Sequence, residues 1–155
     1  MIQRIQTLYL ILTTLFPVIF LKTGFLKFIN KSGNELLLNF TGVTVLTQNS
    51  MPESPEKGII LITLAAFISV ISLISVFLFR NRSMQLKFTT LVIISVILLI
   101  AFVLWSGFSI SSEYQAELVP GLNVLIPPVL LFFAIMAYRR IRRDEELVRS
   151  YDRLR

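Results

Sequence analysis

The chain contains no cysteine and no histidine. The first absence excludes disulfides, thiolate metal sites and cysteine nucleophiles. The second removes imidazole ligands and imidazole general bases. Charge is scarce as well: 15% of the 155 residues are charged, where a soluble domain carries about a quarter. Hydrophobic residues make up 55% and the mean hydropathy is +0.77. A chain of this length has room for a single domain. A small soluble domain cannot bury so much apolar surface, because the buried fraction falls with size. Lipid must therefore solvate part of it. No metal ligands cluster in the sequence and no cofactor motif occurs, so no metal and no cofactor are expected.

Four apolar stretches approach the roughly 20 residues that a bilayer crossing needs. They cover residues 5–21, 58–79, 88–108 and 119–138, leaving an outer loop at 22–57 and a tail at 139–155. The expected fold is an all-α membrane protein, a bundle of four transmembrane helices. "FLKTGFLKF" after the first span lacks the small-x-small cleavage pattern, so this span reads as an uncleaved anchor. Pro17 lacks an N–H and is expected to kink or end the first helix.

The net charge of +6 is unevenly placed. Of the fifteen basic residues, only Lys22, Lys27, Lys31 and Lys57 fall on one side, all in the first loop. The rest are Arg4, the trio Arg80, Arg82 and Lys87, and the seven arginines of the tail. The positive-inside rule puts both termini in the cytosol. Basic residues gathered beside apolar segments point to a lipid bilayer as partner and away from nucleic acid.

In the outer loop, "NKSGN" marks a turn between two apolar runs. Phe25–Ile29 and Glu35–Phe40 are expected to pair as a small extracytoplasmic β-hairpin, with Val43, Val45 and Leu46 as a further strand. An isolated hairpin is marginal in water, so it needs the helix ends as a platform. Pro52 and Pro55 predict an irregular return to the membrane. The third loop, "SISSEYQAELVPG", carries only Glu113 and Glu117 and faces outward with the first.

No ionisable residue lies well inside a predicted span. Pumps, coupled carriers and voltage sensors normally place such groups there. Enzymatic acid–base chemistry also lacks its pair, since Glu113 and Glu117 stand alone in a loop. The polar residues inside are small. Ala65, Ser69, Ser72 and Ser75 fall on or near one face of the second span and read as a helix-packing seam rather than a polar pore stripe, since serine hydroxyls can bond their own backbone at i−4. Ala101, Ser106 and Gly107 read the same way in the third. Pro127 and Pro128 either start the fourth helix or break it, and a helix break there would open a crevice for a small or lipidic molecule.

The last span runs directly into "YRRIRRDEELVRSYDRLR". Arg139, Arg140, Arg142 and Arg143 fall where anionic headgroups lie. Beyond them the spacing predicts a cytosolic helical extension, with Arg142 four residues before Glu146 and Glu145 four before Arg149. Leu147, Val148, Tyr151 and Leu154 form an apolar stripe on it. That stripe either docks on a partner surface or ends a solvated helix.

The opening "MIQRIQT" and the close "DEELVRSYDRLR" resemble a family of small four-span inner-membrane proteins of Bacteroidota that is catalogued as a domain of unknown function. The resemblance covers the whole chain and implies a bacterial inner membrane; it supplies no activity. It also implies that the two cytosolic ends carry what is recognised. The candidate docking residues are Arg4, Asp144, Glu145, Leu147, Val148, Arg149, Tyr151, Asp152, Arg153 and Leu154, with Arg4 expected near Asp144 or Glu145. The resulting expectation is a non-enzymatic membrane component whose tail binds a protein partner. The alternative is a channel or carrier that uses the Pro127–Pro128 break.

Overall fold

The computed structural model describes residues 3–23, 26–30, 35–39, 42–45, 55–119 and 121–153. Four helices dominate: α1 Gln3–Thr23, α2 Pro55–Phe77, α3 Arg82–Tyr114 and α4 Ile126–Arg153. Three helical stretches are long and apolar enough to cross a membrane, Pro55–Phe77, Arg82–Tyr114 and Leu122–Val148, the last beginning in the 3-10 turn ahead of α4. The apolar part of α1 is shorter, Gln6–Leu21. Each helix packs on its neighbours in sequence, and α4 closes back on α1. The result is a ring in the order α1, α2, α3, α4.

Several helix bounds depart from the sequence expectation. Pro17 does not end α1, which continues to Thr23. Its missing N–H leaves one carbonyl, that of Thr13, without a helical donor. Pro55 is the first residue of α2 rather than part of an irregular return. At that position its fixed φ suits the helix, and the missing N–H would have no partner there anyway. Helix α3 is 33 residues, about 50 Å at helical rise, and extends past the predicted end at Phe108. It starts after a single 3-10 turn, Leu78–Arg80, where the Asn81 side chain accepts a hydrogen bond from the Met84 N–H. It stops where Gln115 turns left-handed at φ 49°.

The strands are β1 Leu26–Asn30, β2 Glu35–Asn39, β3 Gly42–Val45 and β4 Ala116–Val119. They form one antiparallel sheet in the order β3-β2-β1-β4. The expected hairpin and third strand are present within a residue or so at each end. Strand β4 was not expected: it comes from the third loop, takes Val119 out of the fourth span, and pairs with β1 through Phe28 opposite Leu118 and Asn30 opposite Ala116. Gly42 opens β3 at φ 120°, a backbone conformation that only glycine adopts without strain.

Alternation sorts the sheet faces. Leu26, Phe28, Leu36, Leu38, Val43 and Ala116 are buried and join a core with Leu61, Val92, Val96 and Leu99 from the helices. Leu26 reaches Gly107 of α3, where an added Cβ would lie 3.6 Å from its Cδ1. On the outer face Lys27 pairs with Glu35 at 2.9 Å. The sheet thus closes the end of the ring where α1 and α3 finish and α2 and α4 begin.

Candidate functional site

The opposite end holds the start of α1, the α2–α3 turn and the last turns of α4, with most of the basic residues of the described segments. Its centre is a buried carboxylate, Asp144, which is 7% exposed. The Gln6 side-chain amide donates to Asp144 Oδ2 and, at 3.4 Å, to the Arg140 carbonyl. Arg82 Nη1 donates to the Asp144 carbonyl at 2.8 Å. One turn deeper, the buried Gln85 amide donates to the Ser75 carbonyl at 3.0 Å. Three helices are therefore joined at Asp144: α1 through Gln6, α3 through Arg82, and α4 itself. Bonds to a charged or main-chain acceptor in a low-dielectric setting are worth more than surface pairs.

Two of the helix-packing residues, Ser69 and Ser72, bond to α1. Ala65 and Ser72 are buried. Ser69 Oγ donates to the Thr14 carbonyl at 3.2 Å, and Ser72 Oγ to the Leu10 carbonyl at 2.9 Å, with Thr13 Oγ1 hydrogen-bonded to Ser72 Oγ. The serines bond across the seam to α1 rather than to their own helix, because close helix approach brings those carbonyls within reach. In α3, Ala101 is exposed and outside any seam, while Ser106 is buried with its hydroxyl unpaired in the structure.

Pro127 and Pro128 are the second and third residues of α4. A 3-10 turn, Leu122–Leu125, leads straight into them. In a first turn the missing N–H groups cost no helical bond. The prolines therefore mark a helix start rather than a break within the helix.

The tail continues α4 without interruption to Arg153. Arg142 Nε donates to Glu146 at 3.0 Å, as the spacing predicts. That hydrogen bond, together with the carboxylate charge, raises the Arg142 guanidinium above its ordinary pKa. Leu147 and Val148 are exposed. Arg149, Tyr151, Asp152 and Arg153 lie on the helical backbone, but their side chains, like that of Arg4, are outside the described residues, and Leu154 is outside altogether. The expected approach of Arg4 to Asp144 or Glu145 thus falls outside the description. The observed partner of Asp144 is Gln6, two residues further along α1. Gln6, Arg82 and Gln85 were missed in the sequence. An amide just inside an apolar run was the available signal for Gln6 and Gln85.

At the sheet end, Lys57 at the start of α2 donates to Ser109 Oγ at 3.0 Å and lies 3.5 Å from Glu113, both on α3. Among the described residues no three carboxylates come together as metal ligands would. No curated protein and no solved structure matches the chain. The model of one family, described as a domain of unknown function, matches residues 2–154. That match joins the α1 start and the α4 tail within one unit, and the chain belongs to the DUF4293 family.

Proposed function

We propose that this chain is a four-span protein of a bacterial inner membrane, with both termini in the cytosol. It acts there as a non-enzymatic interaction component whose tail docks a protein partner. The ring of helices is then a transmembrane bundle, with α1 as the fourth span. The 21 residues of α1 reach about 31 Å at helical rise, against a hydrocarbon core of about 30 Å.

The observation that carries the reading is the continuity of α4. One helix runs from an apolar segment, through the cationic band Arg139–Arg143, to a tail that exposes Leu147 and Val148. The links from Gln6 and Arg82 to Asp144 fix the direction in which that tail leaves the membrane. A rigid, directed helix costs less entropy to dock than a free one.

Two measurements test this. A reporter active only in the cytosol is expected to be active when fused after Arg155 and silent at Asn49; the reverse result removes the orientation. Crosslinking in native membranes is expected to trap a protein that a chain truncated after Glu146 does not. An unchanged crosslink pattern in the truncated chain removes the docking role.

A further inference from the structure

The cations at the basic end divide into two sets. Arg82 is committed to the Asp144 carbonyl and Arg142 to Glu146. Lys87, Arg139, Arg140 and Arg143 make no ion pair among the described residues, and of the three on α4 Arg139 and Arg143 are the exposed ones. At about 100° per residue, Arg139 and Arg143 share a line with Phe132, and Ile135 stands beside it. This face points away from the buried side of α4, where Leu130, Ala134, Ala137 and Ile141 meet the other helices. Phe132 and Ile135 are exposed, at 57% and 37%. One outward face therefore carries an apolar strip that ends, one turn on, in two free guanidinium groups.

We propose that this face of α4 binds an anionic phospholipid, its phosphate between Arg139 and Arg143 and its acyl chains along Phe132 and Ile135. Charge complementarity selects the headgroup. Guanidinium matches phosphate oxygens with two parallel hydrogen bonds. The apolar strip immediately below selects a lipid over a soluble phosphate, which has nothing to place there. The proposal rests on the reading of α4 as a membrane span. It adds to that reading a named lipid class and a division of labour among the arginines: the exposed pair on the outward face of α4 binds, while Arg82 and Arg142 are taken up by bonds to the protein.

The test uses the full chain in micelles doped equally with phosphatidylglycerol and phosphatidylcholine, with retained lipid counted by native mass spectrometry. Wild type is expected to favour phosphatidylglycerol by about thirtyfold, the ratio given by about 1 kcal/mol per arginine. The Arg139→Gln/Arg143→Gln variant is expected to fall to near parity. Arg142→Gln keeps the preference, because Arg142 is already bonded. Arg139→Lys/Arg143→Lys keeps most of it, which separates loss of charge from loss of fold. Equal retention of both lipids by wild type, or an Arg142→Gln loss as large as that of the pair, overturns the proposal. Displacement of the lipid by titrated inorganic phosphate assigns the site to a soluble anion and overturns it too. A chain that stays monodisperse in plain buffer without detergent breaks the membrane reading itself, which is a separate failure.

Discussion

The two ends of the helix ring are held by different physics. At the sheet end, strands from two separate loops pair along their backbones, and their buried faces join the main core through Phe28, Leu38 and Val43. At the basic end the buried apolar cluster is small, Leu10, Ala137 and Ile141, and cohesion comes from a few bonds around Asp144. Apolar burial is non-directional and large; hydrogen bonds are directional and each contributes little net. The sheet end is thus built as a lid that shuts, and the basic end as a bracket that sets the angle of the tail.

That contrast predicts an order of sensitivity. The largest loss is expected at the sheet. Phe28→Ala empties a fully buried site and should cost about 3–5 kcal/mol, read as a lower denaturation midpoint in detergent. If Phe28→Ala proves mild, the sheet is an ornament on the helices and the contrast fails. Next comes the bracket. Asp144→Ala leaves the buried Gln6 amide without its acceptor, a cost of about 1–3 kcal/mol. A double-mutant cycle of Gln6→Ala with Asp144→Ala is expected to show coupling of about 0.5–3 kcal/mol. Additive behaviour would mean that the two residues do not act together, and the bracket would have to be sought elsewhere.

Smaller effects sharpen the picture between the ends. Ser72→Ala removes the bond to the Leu10 carbonyl in the α1–α2 seam. Interhelical bonds of this kind average about 0.6 kcal/mol in membranes, so the midpoint should move only slightly. A larger loss would make this seam, rather than either end, the centre of cohesion. The least effect is expected at the Lys57–Glu113 pair, whose acid is half exposed. Glu113→Gln should cost below about 1 kcal/mol, and less still as salt is raised. A clear loss there would show that the sheet end also depends on charge.

Much of the fold could be read along the chain. The apolar cores of α2 and α3 follow from hydropathy, β1 to β3 from alternation around a turn signal, and the tail helix from its four-residue charge spacing. The misreadings share a cause. "AELV" is too short to announce itself as a strand, and it becomes one only because β1 offers an edge for Ala116–Val119. "SISSEY" looks like loop but continues α3, because Ser109 and Glu113 meet Lys57 and Ile110 is buried against the sheet. Pro127 and Pro128 looked like a break because proline in a helix interior is one; whether a residue is interior depends on where the helix starts. At the candidate site, the two end motifs fall on the start of α1 and the last turns of α4, which lie at the same end of the molecule. The Arg4 side chain lies outside the described residues, and the bonds the structure does give Asp144 come from Gln6 and Arg82.

The sequence by itself determined which segments are apolar enough to leave water and at which end the cations gather, because transfer free energy adds up locally, residue by residue. Tertiary structure alone decided that a third-loop strand completes the sheet, that Gln6 and Arg82 converge on Asp144, and that the seam serines bond to α1. Those contacts join residues as many as 138 positions apart, and pairing at that range is set by how the helices pack, which no local pattern encodes.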